Sequence, residues 1–168
     1  MFYESVLAKL LEHKVRFAVV GGVAVVLHGV MRYTADLDIV VGLADENLAR
    51  MLDAMRELDY RPRLPVDPKE LMNAQLRYDW TRNRNLKAFT FWNPERKYRE
   101  VDILLIESEA TKLIDSAVVI EAGELKIPVV ALDELIEMKL RSGRKRDKDD
   151  VAALREVREI TRTEYGIR

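Results

Sequence analysis

Residues 36–41 read Asp-Leu-Asp-Ile-Val-Val, and this stretch decides how the rest of the chain is interpreted. Its branched apolar residues favour a strand, and Gly42 provides a stop. Side chains on a strand alternate between its two faces, so Asp36 and Asp38 are expected to project from the same face. Two carboxylates so close together repel each other, and a divalent cation removes that conflict. Oxygen ligands of this kind favour Mg²⁺ or Mn²⁺ over zinc.

A third aspartate stands alone in another apolar run. Asp102 is the one charge within residues 101–106, which read Val-Asp-Ile-Leu-Leu-Ile. Charged side chains are rarely placed in such a strand without a partner. If this strand lies beside the first, three carboxylates converge, as in the two-metal sites of phosphoryl chemistry. The simpler alternatives are that Asp102 caps a turn or pairs with Arg99, and that Asp-x-Asp is a solvated strand end.

A glycine pair, Gly21-Gly22, separates a predicted strand at residues 16–20 from a short predicted helix at residues 23–28. Glycine lets a ligand approach the backbone closely, and the N-terminus of the following helix offers N–H groups to phosphate. A plain turn is the simpler interpretation of the pair.

The remaining periodicities predict an α/β (α+β) domain, with helices packed on a mixed twisted sheet. We expect residues 1–130 to form its core and residues 131–168 to form a C-terminal helical segment of the same domain. The individual predictions are a helix at 3–14, a helix after the Asp45 cap, a loop at 61–68, a hairpin of 86–92 and 98–106 turning at 93–95, strands within 117–130, and helices at 132–141 and 147–160.

Composition excludes several classes of function. The chain has 168 residues, a net charge of −1, two histidines and no cysteine, which excludes disulfides, cysteine nucleophiles and Cys- or His-rich zinc sites. The longest apolar stretch, residues 17–27, is too short to span a bilayer, so we expect no membrane association and a cytoplasmic address. There is no P-loop, no G-x-G-x-x-G and no G-x-S-x-G pattern.

Taken together, the glycine pair, thirteen further residues, the Asp-x-Asp strand and the later aspartate resemble the pattern of the nucleotidyltransferase superfamily, which includes DNA polymerase beta. The lead-in Arg32-x-Thr34-x-Asp36 resembles small bacterial members, among them abortive-infection and toxin–antitoxin proteins. The same group has basic and acidic positions that open the last helices, here Lys139, Gly143-Arg144, Arg146-Asp147 and Asp150-Val151.

The resemblance implies a role for each matching position. Two aspartates hold the metal ions that carry a nucleoside triphosphate, and the third shares the catalytic metal and helps to deprotonate an acceptor hydroxyl. The glycines line the phosphate side, and cations neutralise the leaving group. In this chain the metal and catalytic positions are Asp36, Asp38 and Asp102, and the nucleotide-binding positions are Gly21, Gly22, Lys139, Arg144 and Arg146. One position departs from the pattern, because Gly22 stands where many active members carry serine.

The resulting expectation is an Mg²⁺- or Mn²⁺-dependent enzyme that moves a nucleoside monophosphate from a nucleoside triphosphate such as ATP to a hydroxyl. The acceptor is left open among a protein, an RNA and a small molecule, and a toxin–antitoxin role favours the first two. The alternative is a catalytically weak module of the same fold that binds a nucleotide or a protein partner. A metal-dependent glycosyltransferase rests on Asp-x-Asp alone. The oligomeric state and the nucleotide are left open.

Two basic segments and one histidine have two interpretations each. The run at residues 141–148 is either a solvated helix junction paired with its own aspartates or a phosphate-facing patch. The basic and aromatic residues of 77–99 either pack in the core or bind single-stranded RNA. His28 is expected to be buried and hydrogen-bonded rather than a metal ligand.

Overall fold

The computed structural model describes residues 3–95 and 99–165, without the side chains of the last two of these residues. Over these ranges the chain forms seven α-helices, one 3₁₀-helix and seven strands. The helices are α1 Glu4–Glu12, α2 Gly21–Leu27, α3 Asp45–Glu57, α4 Ala74–Arg82, α5 Glu107–Asp115, α6 Leu132–Ser142 and α7 Lys145–Tyr165, and the 3₁₀-helix is Pro68–Met72. The strands are β1 Phe17–Val20, β2 Leu37–Val41, β3 Arg61–Pro62, β4 Ala88–Trp92, β5 Glu100–Leu104, β6 Val118–Ala122 and β7 Leu125–Val129.

All seven strands belong to one mixed sheet in the order β3-β4-β5-β2-β1-β7-β6. The pairs β2–β5 and β1–β7 are parallel, and the other neighbouring pairs are antiparallel. This arrangement confirms the predicted mixed sheet with helices packed on it. It also makes β2 and β5 direct neighbours at the centre of the sheet, although about sixty residues separate them along the chain.

The apolar side chains of the helices form the core with those of the sheet. In α3, Leu48, Met51 and Met55 are fully buried, and α3 packs against α1 and the 3₁₀-helix. Helix α2 packs on β1, β2 and α6, which brings the glycine pair toward the C-terminal helices. Within the described ranges, no helix is both long and apolar enough to cross a bilayer.

Helix α2 begins at Gly21, two residues before the predicted start. The reason is the backbone of Gly21, whose φ of +63° lets the chain turn from β1 directly into the helix. The turn and the first helical residue are therefore the same residue. The prediction treated the glycines as a break between two elements.

The segment predicted as a loop at residues 61–68 contains the short strand β3, and α4, α5 and the 3₁₀-helix were not predicted. Capping side chains define two of these helices. Asp67 forms a capping box with Glu70, and Asn73 accepts hydrogen bonds from the backbone N–H groups of the first residues of α4.

The predicted hairpin of residues 86–92 and 98–106 is confirmed in its pairing. Strands β4 and β5 are antiparallel, with Thr90 opposite Asp102. The predicted turn begins at Asn93, whose side chain accepts a hydrogen bond from Glu95, while residues 96–98, including the predicted start of the second strand, lie outside the described residues. The last three residues of the predicted C-terminal segment lie outside them too.

Among the described residues of 77–99, the aromatic side chains contribute mainly to packing. Trp80, Phe89 and Phe91 are buried. The ring centroid of Phe89 lies 5.5 Å from that of Trp80 and 5.3 Å from that of Phe91. Trp92 lies under the guanidinium of Arg63, 5.5 Å from ring centroid to Cζ. Core packing is therefore the correct interpretation for the three buried rings.

Candidate active site

Two neighbouring strands bring Asp38 and Asp102 side by side. They are register partners across the parallel pair β2–β5. The residues before and after each of them are fully buried, so both carboxylates emerge on the other face of the sheet. Thr90 lies on β4, the other neighbour of β5. Its Oγ1 donates a hydrogen bond of 2.5 Å to Asp102 Oδ1 and fixes the orientation of that carboxylate.

Asp36 lies just before β2 and is more exposed than the other two aspartates. Its segment is held in place by the Tyr3 hydroxyl, which donates a hydrogen bond to the Ala35 carbonyl, and by Thr34 Oγ1, which lies 3.4 Å from the Asp36 carbonyl. The strand therefore begins one residue later than predicted.

Burial and the neighbouring Asp102 carboxylate raise the pKa of the other two aspartates. Burial, followed by the charge of Asp102, raises the pKa of Asp38 to about 6, although the Gly22 backbone N–H donates a hydrogen bond to it. Burial and Asp102 also raise the pKa of Asp36. The site thus concentrates negative charge that is only partly compensated, and this is the electrostatic condition in which a divalent cation binds.

The glycine pair is required by two side chains beside it, those of Asp38 and Thr34. A Cβ atom at Gly21 would lie 1.9 Å from Asp38 Oδ2, and one at Gly22 would lie 2.4 Å from Thr34 Oγ1. The sequence interpretation assigned the pair to close approach of a phosphate. The structure adds that the glycines admit the side chains of Asp38 and Thr34, and that the Gly22 N–H already donates to Asp38.

This packing accounts for a glycine rather than a serine at residue 22. We expect Gly22→Ser to destabilise the fold by about 1–3 kcal/mol, because the new Cβ meets Thr34. Chemical denaturation of the single variants and of Gly22→Ser/Thr34→Gly forms a double-mutant cycle. The serine is expected to cost much less when residue 34 is glycine. Equal cost in both backgrounds would show that Thr34 is not the obstacle.

The last two helices are joined to the site by a buried cluster of charges. Lys139 Nζ lies 2.8 Å from Asp150 Oδ2 and 3.2 Å from Asp147 Oδ1, and Asp150 also pairs with Arg32 of the lead-in segment. The side chains of all three C-terminal members are less than 10% exposed. Asp150 therefore connects the lead-in segment, α6 and α7, and Lys139 is held by two aspartates rather than left free.

Asp147 is held as a carboxylate by its surroundings. Burial alone would raise its pKa, but hydrogen bonds from Ser142, Arg144 and Lys139 overcome that effect and lower it to about 2. The Arg144 side chain lies mostly in solvent, with Nε 3.0 Å from Asp147 Oδ2. Arg144 is thus paired with an aspartate of its own junction while it also lines the pocket, whereas Arg146 makes no ion pair with any described residue.

All eight residues predicted for the site line one pocket of about 440 Å³. Its lining also includes residues that the site prediction omitted, namely Arg32, Tyr33, Thr34, Ala35 and Asp147. A sequence signal existed for the acidic pair of α7, because Asp147 and Asp150 are three residues apart and so share one face of a helix. His28 lies outside this pocket, and its Nε2 is 2.8 Å from the Val130 carbonyl oxygen, as expected for a hydrogen-bonded structural residue.

The three aspartates supply the donor type that a hard divalent cation prefers, and the pKa values of Asp36 and Asp38 are raised by burial and by the charge of Asp102. The residues therefore fit a divalent cation in donor type and in charge. Among the described side chains, however, no three of His, Cys, Asp or Glu are already arranged as a metal-binding group.

Comparison with known proteins gives the fold a name. No family model and no curated protein matches the chain. Among solved structures, the antibiotic-resistance factor ANT(2'')-Ia is 13% identical, with a TM-score of 0.56 over 98% of this chain and 91% of that one. The lincomycin-bound lincosamide antibiotic adenylyltransferase LnuA is 17% identical, with a TM-score of 0.58 over 92% of this chain and 97% of that one.

A third similar structure is a Thermotoga maritima protein assigned to the nucleotidyltransferases, 18% identical, with a TM-score of 0.55 over 89% of this chain and 90% of that one. The mixed sheet with helices packed on it defines an α/β domain, and its acidic pocket lies where two adjacent strands carry aspartates. The chain has the nucleotidyltransferase fold.

Proposed function

We propose that this protein is a nucleotidyltransferase that moves a nucleoside monophosphate from a nucleoside triphosphate to an acceptor hydroxyl. The observation that carries the proposal is the convergence of Asp36, Asp38 and Asp102 in one pocket with Gly21 and with cations from the last two helices. Each of these positions was selected from the sequence for that chemistry, and the fold supports the same reaction class.

The triphosphate occupies the pocket between the aspartates and the helix junction. Arg146 and the terminal nitrogens of Arg144 are the cations available to its phosphates, because both side chains are exposed at the pocket. Lys139 has a different role: its two aspartate partners hold it, and from there its positive charge lowers the pKa of Asp38. We propose Lys139 as a positioning residue of the site.

The three aspartates would hold Mg²⁺ or Mn²⁺. When bound, the metal supplies positive charge to the phosphates and to the oxygen that attacks. Thr90 keeps the Asp102 carboxylate aimed by its hydrogen bond.

At the α-phosphorus the reaction forms one bond and breaks one bond. The acceptor oxygen bonds to the α-phosphorus, the bond from that phosphorus to the β-phosphate oxygen breaks, and pyrophosphate leaves with that electron pair. The acceptor proton departs toward the Asp102 carboxylate, which lies at the edge of the pocket shared with a second cavity. Arg144 and Arg146 stabilise the charge that develops on the pyrophosphate.

A labelled-nucleotide screen tests the proposal. The purified protein is incubated with Mg²⁺, cell extract and each α-labelled triphosphate in turn, with ATP first. We expect the label to move to a product with at least one nucleotide, and chelation of the metal to stop the transfer. Absence of transfer from all four triphosphates, in protein that is folded by circular dichroism, contradicts the proposal.

A second candidate is a module of the same fold that binds nucleotide without transferring it. Two observations favour it. No ready-made metal-binding group exists among the described side chains, and the positive charge of Lys139 is balanced by its ion pairs with Asp147 and Asp150. Calorimetry with ATP and Mg²⁺ separates the two functions when it is combined with the transfer screen. Binding without any labelled product favours the module.

A further inference from the structure

A second cavity of about 600 Å³ adjoins the triphosphate pocket. The two cavities share Asp38, Asp102 and Arg144, so they meet at the carboxylates. The second cavity lies on the side of β5 and α4. Of the two cavities, Gly21 and Lys139 line the first and not the second. An acceptor that attacks a phosphorus atom held in the first cavity can reach it from the second.

One wall of this second cavity is apolar. Leu86, Ala88, Leu104 and Ile106 line it, from the segment before β4 through the end of β5. They are only partly buried, so their side chains remain accessible to a ligand. Such a wall packs against a flat or weakly polar body, such as a sugar ring or a base.

The lining of the second cavity also contains cations. These are Lys87, Arg141 and Arg144, and the carboxylates among its described lining residues are Asp38 and Asp102 of the site itself. Their charges are not equally available. Arg141 is held by both oxygens of Glu109, at 3.2 Å and 2.7 Å, and Arg144 uses only its Nε on Asp147.

Lys87 is the cation with the most freedom. Its side chain is exposed, and within residues 3–95 and 99–165 it makes no ion pair. It lines the second cavity and not the first, so its charge acts on whatever enters beside Asp102. An acceptor that carries several positive charges would meet the charge of Lys87 here, and such a like-charge contact is unfavourable.

We infer that the acceptor carries a phosphate group close to the hydroxyl that attacks. The phosphate faces Lys87, and the sugar or base beside it packs on the apolar wall. This inference rests on the proposed transfer function and specifies its acceptor. The chemistry is shared by two sources, the end of a nucleic-acid chain and a free phosphorylated nucleoside or sugar.

The test measures binding by calorimetry at low salt, with the first cavity saturated by a non-hydrolysable ATP analogue and Mg²⁺. The probes are a short oligoribonucleotide with a free 3′ hydroxyl, a nucleoside 5′-monophosphate, the unphosphorylated nucleoside and a polyamino sugar. We expect both phosphorylated probes to bind more tightly than the nucleoside and the polyamino sugar. Tighter binding of the oligoribonucleotide than of the monophosphate identifies the nucleic-acid source, and the reverse identifies the small molecule.

Charge reversal then locates the binding. Lys87→Glu is expected to weaken the phosphorylated probe about tenfold or more, since one phosphate contact is lost and a repulsive charge is added. Lys126→Glu makes the same charge change at an exposed strand position outside both cavities and is expected to leave binding unchanged. Affinity for the ATP analogue is expected to stay constant in both variants.

The outcomes separate the two proposals. Equal probe affinity in Lys87→Glu and wild type, or preference for the polyamino sugar, overturns the phosphorylated acceptor even if ATP binds and is turned over. Failure of wild type to bind the ATP analogue or to transfer a nucleotide overturns the transfer function instead. In that case the effect of Lys87→Glu on the phosphorylated probe, measured without the analogue, still decides whether the second cavity recognises phosphate.

Discussion

Asp38→Asn is expected to lower nucleotidyl transfer by at least about 10³-fold, because a neutral amide replaces one of the carboxylates that would hold the metal and several kcal/mol of transition-state stabilisation are lost. The fold is expected to survive. Asparagine has nearly the same shape, and its side-chain oxygen can still accept the hydrogen bond from the Gly22 N–H. The measurement is single-turnover transfer of labelled nucleotide at saturating Mg²⁺. Retained turnover in a folded Asp38→Asn protein would sink the mechanism.

The same substitution has a signature that does not depend on activity. The pKa of Asp38 is raised to about 6 in the folded state, above its ordinary value near 3.8, so in metal-free protein the folded state holds this proton more tightly than the unfolded state does. Its ionisation therefore removes stability as the pH rises from about 4 to above 6, by up to about 3 kcal/mol. Asparagine does not ionise and escapes that loss.

In EDTA, Asp38→Asn is consequently expected to be more stable than wild type at pH 7.5 and to lose that advantage at pH 4. Added Mg²⁺ is expected to raise the melting temperature of wild type more than that of the variant. Thermal unfolding at several pH values measures both effects. A variant that is less stable than wild type at pH 7.5 without metal would show that the carboxylate is paired and that the carboxylates do not repel as described.

Asp38 and Asp102 were predictable because each one interrupts an apolar strand. Alternation along a single strand puts Leu37 and Ile39 in the core, and Asp38 must then emerge on the opposite face. The sequence of one strand does not contain its neighbours, however. The pairing of β2 with β5 depends on packing of the whole sheet, and it entered the prediction through the resemblance to a family.

The surroundings of Lys139 show the opposite situation. The resemblance to a family implied that it binds the nucleotide, and the structure adds that its charge is balanced by Asp147 and Asp150. The spacing of these two aspartates was visible in the sequence without indicating what they hold. Ion pairs between separate helices depend on how the helices cross, and periodicity within one helix carries no information about the crossing. The short helix α4 was missed for a related reason, because its start is set by the Asn73 cap rather than by a long apolar stripe.

The glycine turn is where local conformation and chemistry meet most tightly. Gly21→Ala is expected to destabilise the protein by about 2–5 kcal/mol. About 1–2 kcal/mol comes from forcing alanine to a φ of +63°, and about 1–3 kcal/mol comes from a methyl group placed 1.9 Å from Asp38 Oδ2. In the fraction that folds, displacement of Asp38 by about 1 Å is expected to lower transfer about 10²-fold.

Gly123→Ala is the matched control, because Gly123 has the same φ of +63° in the turn between β6 and β7 and open space where its Cβ would lie. It bears only the backbone cost of about 1–2 kcal/mol and leaves transfer at the wild-type rate. Urea unfolding and single-turnover transfer of both variants isolate the contact with the aspartate. Because the backbone cost is common to the two glycines, any excess loss at Gly21 measures how closely the turn is fitted to Asp38. Equal losses at the two positions would mean that the turn needs a glycine only for its φ angle, and that the carboxylate has room to move.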